Sequence, residues 1–148
     1  MIQIRPAAED DLPDILGLYE ATGVDAPGDN DLARARATFA RMATYPDYRV
    51  LVAVEGGRVL GTLAVAVLDN LAHGCAPSAL VEDVAVHPEA QGRGIGRALI
   101  HHAMDHARAR GCYKLALSAN AKREKAHAFY ESLGLQRHGY SFWVSLDD

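Results

Sequence analysis

One stretch constrains this chain more than any other: VAVHPEAQGRGIGR, residues 84–97. An apolar run ends, a tight turn carries glycine at positions 92, 94 and 96, and an amphipathic helical pattern begins. A strand that feeds a helix through so short a turn belongs to an α/β fold. Glycine accepts unusual φ angles and lets a ligand approach the backbone. The first N–H groups of a helix have no internal partner and lie at the positive end of its dipole. Gln91, Gly92, Arg93, Gly94, Ile95, Gly96 and Arg97 therefore read as an anion site suited to phosphates. Arg93 and Arg97 add charge to it.

The turn is neither of two commoner phosphate binders. Its glycines alternate, so GxGxxG is not met, and no acidic residue closes a second strand ~20 residues on. The P-loop pattern GxxxxGK[ST] is absent. A turn alone does not need three glycines, a glutamine and two arginines.

Elsewhere the patterns are local. Leu12, Ile15, Leu16 and Tyr19 stand at i, i+3, i+4, i+7, which predicts a helix over 10–22 with Pro13 in its first turn. Further helices are expected at 31–44, 95–110 and 122–133, the last two stopped by Gly111 and Gly134. Strands are expected at 2–5, 49–55, 59–68, 79–86, 113–118 and 140–146. Gly56-Gly57 reads as a two-residue hairpin turn. The expectation is one α/β domain over 1–148, with a mixed sheet of about six strands flanked by four helices.

Charge and cysteine content narrow the function. The net charge is −4 with no long Lys/Arg run, a poor match to nucleic acid. Short basic clusters at 91–97 and 122–125 fit a small anionic ligand better. Cys75 and Cys112 form no CxxC pair, so no metal is expected. No apolar run reaches ~18 residues and the N-terminus lacks the apolar core of a signal peptide, so the expectation is a cytoplasmic protein with no membrane segment. The apolar terminal run YSFWVSL is able to pair with a second chain, which points to a homodimer.

QGRGIG, residues 91–96, matches the Q/R-x-x-G-x-G/A acyl-CoA motif of the GNAT N-acetyltransferases, and the chain resembles that family. VEDVAVHPEAQ resembles the family's fourth strand, and AHAFYESLGL its last conserved helix. Some segments look like glucosamine-phosphate N-acetyltransferases and others like bacterial small-amine acetyltransferases. The resemblance implies the GNAT fold and acetyl-CoA as co-substrate. It implies that the backbone of Val84, Ala85 and Val86 pairs with the pantetheine arm, and that N–H groups of 91–97 hold the pyrophosphate. It also implies an Asn120 contact to pantetheine and a place for Tyr130 beside the thioester sulfur.

The chemistry asks for a base and an acid. An alkylamine has a pKa near ~10.4 and must lose a proton before it attacks a thioester. Tyr130 is the candidate donor to the leaving sulfur, although Ala126, Phe129, Tyr130 and Leu133 also form a packing stripe. Glu82 and Asp83 are the candidate bases, since two carboxylates in an apolar strand are costly unless used or paired. Strand alternation lets at most one of them face the amine, and Glu82 is favoured. His73 and Asn70 are candidates for the acceptor pocket, and His127 for the cofactor. Lys122 and Arg123 are able to meet a CoA phosphate. The histidines at 101, 102 and 106 share a helix and are not expected to bind metal. The reading is acetyl transfer to a small primary amine. Acetylation of a protein N-terminus or lysine, and a non-catalytic acyl-CoA sensor, remain the alternatives.

Overall fold

The computed structural model describes residues 1–147. The chain divides into two compact units, one over 1–117 and one from Ser118 onward.

The first unit contains the sheet. Its strands are β1 (Gln3–Pro6), β2 (Tyr48–Glu55), β3 (Arg58–Leu68), β4 (Ser78–Val86) and β5 (Lys114–Leu117), and they lie side by side in that order. The first three contacts are antiparallel, and β4 with β5 is parallel. Helices α1 (Leu12–Thr22) and α2 (Leu32–Met42) precede β2, and α3 (Ile95–Ala109) joins β4 to β5. Gly56 and Gly57 both have positive φ, 59° and 76°, as a two-residue hairpin turn with the strands' own twist requires.

Apolar side chains cover both faces of the sheet. Leu12, Ile15 and Leu18 of α1 pack with Val52, Val59 and Ala85. On the other face, Gly61 lies under α3: a Cβ there would stand 2.8 Å from Ile95 and 3.1 Å from Leu99. The missing side chain lets the first turn of α3 rest on the strand. Leu51, Leu63, Val65, Val81, Ile95, Leu99 and Ile100 are all almost wholly buried. Each such side chain contributes about 1.5–3 kcal/mol.

Two carboxylates fasten helices to strands. Asp11 accepts two hydrogen bonds from Arg5, at 2.7 and 3.0 Å, and one from the Ala8 N–H at 2.7 Å. Asp47 takes His106 Nε2 at 2.9 Å and Arg110 Nε at 2.8 Å, fixing the last turn of α3 beside β2. His102 and His106 stand i, i+4 on α3, and His106 is committed to Asp47.

The second unit contains α4 (Glu124–Ser132). Asn120 sets its start: the carbonyl accepts from the Arg123 N–H and from His127 Nε2, and Oδ1 accepts from the Lys122 N–H. The strand expected at 140–146 is not formed, so the sheet has five strands rather than six. Alternation marks a segment able to pair, but a strand exists only where a neighbour supplies N–H and C=O partners. Residues 140–147 have no such neighbour.

The Arg5 guanidinium holds the Asp11 carboxyl below its usual range, against burial and with help from the Ala8 N–H. A carboxyl with a lowered folded pKa stabilises above its unfolded value of ~3.9, and that stability is lost as pH falls through the folded value. Asp11→Asn should therefore cost about 1.5–3 kcal/mol at pH 7. The cost should shrink toward zero near pH 2 when both proteins are unfolded by urea.

Candidate functional site

The site begins with a fault in β4. Thr62 of β3 pairs with Ala85, and Ala64 pairs with Glu82. Two steps along β3 thus match three along β4, so β4 holds one extra residue. Asp83 takes φ 55° there. This is a β-bulge, which bends a strand and re-aims its side chains. Val81 pairs with Val65 on the α3 face, whereas Ala85 packs against α1 on the other. Simple alternation would have put residues 81 and 85 on one face. Of the adjacent pair, Asp83 lines the cavity of this unit and Glu82 does not.

The bulge places Asp83 in a cavity of about 370 Å3 between the sheet, α1 and α2. Tyr19, Tyr48, Arg34, Asp29 and Asp31 share its lining. A smaller apolar cavity of about 170 Å3 shares Phe39, Met42, Tyr48 and Val50 with it. Of the two, only the larger is lined by Asp83.

Electrostatics separate Asp83 from the other acids. The Asp31 carboxylate caps α2 by accepting from the Ala33 and Arg34 N–H groups, and Asp29 accepts from the Ala26 N–H. Among the described residues no cation or donor pairs with Asp83. Partial enclosure raises its pKa, and the charge of Asp25 raises it further. Burial, then the Asp83 charge, push the Tyr19 phenol far up. Tyr48 moves the same way, with Glu82 adding to Asp83. Both phenols stay protonated and able to donate.

The same strand leaves an open edge. β5 pairs with β4 only from Ser78 to Val81, yet β4 continues to Val86. Backbone groups of Val84, Ala85 and Val86 on that side have no strand partner in this unit. The chain then enters the Gly-rich turn. Gly92 and Gly94 take φ 79° and 81°, and Gly94 caps α3 without any side-chain hydrogen bond. The α3 N–H groups remain open to an anion. A Cβ on Gly92 or Gly94 would meet nothing within 4 Å, so glycine is needed there for φ rather than for space. Arg93 pairs with Glu55 at 2.7 Å, while Arg97 is exposed.

Two other candidates lie away from the cavity. The Asn70 amide donates to the Ala76 carbonyl at 2.9 Å, and the His73 ring stacks on Tyr113 at 4.2 Å. His73 precedes the start of β4, and five residues of strand, about 16 Å, separate Ser78 from Asp83. Neither side chain lines the cavity with Asp83. In the second unit the Tyr130 phenol is raised by burial, opposed by Arg123, and its ring lies 5.3 Å from Phe129. Asn120 Oδ1 is committed, which leaves Nδ2 to donate. Tyr19, Tyr48 and Arg34 had no sequence signal beyond helical or strand spacing.

The acetyltransferase (GNAT) family model matches residues 15–135. The chain belongs to the GNAT acetyltransferase family. Glucosamine 6-phosphate N-acetyltransferase 1 of Oryza sativa subsp. japonica is 35% identical over 120 residues, 78% of this chain and 72% of that one. Glucosamine 6-phosphate N-acetyltransferase of Trypanosoma brucei brucei is 35% identical over 82 residues. That match spans 55% of this chain and only about half, 54%, of that enzyme. The solved structure of a candidate acetyltransferase from Agrobacterium tumefaciens str. C58 superposes with TM-score 0.88 at 33% identity, covering 97% of this chain and 99% of that one. The five-stranded α/β sheet is thus the GNAT fold.

Replacing Gly94 by Asp adds strain at φ 81° and a negative charge at the mouth of α3. CoA affinity, read by calorimetry, should fall on the order of tenfold or more. Unchanged affinity would place the diphosphate elsewhere.

Proposed function

We propose that this chain transfers the acetyl group of acetyl-CoA to a primary amine of a small molecule. One observation carries the reading: at a single bulge Asp83 lines a cavity on one face, and just beyond it, where β5 has ended, the backbone of the next three residues has no strand partner along the edge that leads to the glycine turn. Acceptor and donor sites then adjoin on one strand, which is what proximity catalysis needs.

The N–H groups of 92–97 hold the diphosphate, and the free edge of 84–86 lines the pantetheine. Gln91 begins this turn. Asn120 Nδ2 supplies a further donor to pantetheine, and His127 and Lys122 flank it in sequence. The amine enters as an ammonium and gives its proton to Asp83, directly or through water. Asp83 replaces Glu82 as the favoured base because Glu82 does not line the cavity. The amine nitrogen then forms a bond to the thioester carbonyl carbon and the C–S bond breaks; Tyr130 gives its proton to the leaving sulfur, and the second proton of the acylated nitrogen returns through water to the Tyr130 oxygen, which leaves a neutral amide and a regenerated phenol. The raised pKa of Tyr130 keeps that proton in place at neutral pH.

A cavity of about 370 Å3 suits an amino sugar or aminoalkyl compound better than a polypeptide. An unpartnered carboxylate favours a cation, and Arg34 offers one cationic group for an anionic substituent such as a phosphate. Thiol release from acetyl-CoA with glucosamine, glucosamine 6-phosphate, an aminoglycoside and a peptide N-terminus tests this. Turnover on a small amine supports it. Turnover only on the peptide, or CoA binding without turnover, contradicts it.

Asp83→Asn should lower kcat/KM at neutral pH by about a hundredfold, the scale of a lost general base. Its melting midpoint should hold or rise, because a carboxyl with a raised folded pKa disfavours the fold once ionised. The wild-type rate should fall as pH drops through a value above the ordinary ~3.9. A variant both inactive and less stable would make Asp83 a structural residue.

A further inference from the structure

The glycine turn is pinned at both ends and loose between them. Before it, the His87 N–H donates to the Leu60 carbonyl and the Ala90 N–H to the His87 carbonyl, both at 2.8 Å. Ala90 is buried. After it, α3 begins at Ile95. Among the described residues, no backbone hydrogen bond holds Gln91, Gly92 or Arg93. Gly92 and Gly94 stand at φ 79° and 81°, and glycine has more backbone freedom to lose than any other residue. A turn that must aim N–H groups at a ligand gains from an outside restraint.

One side-chain contact supplies that restraint. Arg93 lies between the two glycines, and its Nη2 donates to both carboxylate oxygens of Glu55, at 2.7 and 2.8 Å. Glu55 ends β2, a strand paired with β1 on one side and β3 on the other. The Met1 amino group is farther from Glu55, at 3.9 Å, and fully exposed. The guanidinium holds the Glu55 carboxyl below its ordinary range, so the pair is charged at neutral pH.

We propose that Glu55 is a positioning residue for acetyl-CoA, fixing the glycine turn through Arg93 with its N–H groups set for the diphosphate. The proposal rests on the reading of this turn as the diphosphate site. The Arg93 side chain is then a strut and not a phosphate ligand, because a carboxylate already neutralises it. Such a strut adds little to folding: the two side chains are 45% and 31% exposed, and exposed ion pairs contribute little. Its effect lies in binding, since a loop already held in its bound shape has less freedom to lose on association.

Calorimetry of the full chain with CoA tests this through Glu55→Ala, Arg93→Ala and the two combined. Each single variant should weaken CoA binding about three- to tenfold, the scale of ordering one long side chain. The double variant should lose no more than either single one, because both remove the same contact. The melting midpoints should not move, which separates positioning from damage to the fold. Were Arg93 a phosphate ligand, Arg93→Ala would weaken binding while Glu55→Ala left it unchanged or tightened it; that result overturns the proposal, as do additive losses. Gly94→Asp serves as the reference. Loss of affinity there with full affinity in Glu55→Ala overturns the strut alone. Full affinity in all four variants overturns the diphosphate reading and the strut with it.

Discussion

One extra residue in β4 governs how the candidate site of the first unit is arranged. Without it, β4 would run in register with β3 and present residues 81, 83 and 85 to the same face. With it, Val81 stays under α3, Asp83 enters the α1/α2 cavity, and Ala85 packs against α1. The cost is a non-glycine residue at φ 55°, about 1–3 kcal/mol of local strain. The surrounding sheet imposes that conformation through pairing on both sides of the bulge. His73 and Cys75 take positive φ too, so what singles out Asp83 is that its strained position also lines the cavity.

The carboxylates show the same division between folding and chemistry. Asp11 and Asp47 each gather cationic donors at 2.7–3.0 Å, and the pKa of each is lowered. Burial pushes Asp47 the other way, but His106 and Arg110 outweigh it. Asp83 has no such partner, and enclosure raises it. Paired acids stabilise helices on strands, whereas an acid left without a cation is poised to accept one. On the proposed function, the cation it accepts is the ammonium of an acceptor.

Most of the fold was legible from spacing. The helical period at Leu12, Ile15 and Tyr19, the apolar runs at 49–55 and 59–68, and the Gly56-Gly57 turn all stand within a residue or two of their expected bounds. The glycine turn was legible too, since positive φ at 92 and 94 leaves few other residues. The bulge was not, because no side-chain pattern announces an inserted strand residue. Two adjacent acids marked the place, but alternation says only that one of them faces a given side, and the sequence favours Glu82 where the cavity is lined by Asp83. Tyr19 and Tyr48 look like ordinary amphipathic positions until α1 and β2 meet around the cavity. The terminal run 140–146 was legible as a strand but not as an unpaired one, because pairing depends on a neighbour that local sequence does not encode.

The most direct test is an amide-resolved NMR titration of the full chain with CoA. The account predicts shifts concentrated at 84–86 and 92–98, the open edge of β4 and the mouth of α3, with β1 and the α2 surface nearly still. Shifts centred instead on the α1/α2 cavity, with the glycine turn unmoved, would contradict it.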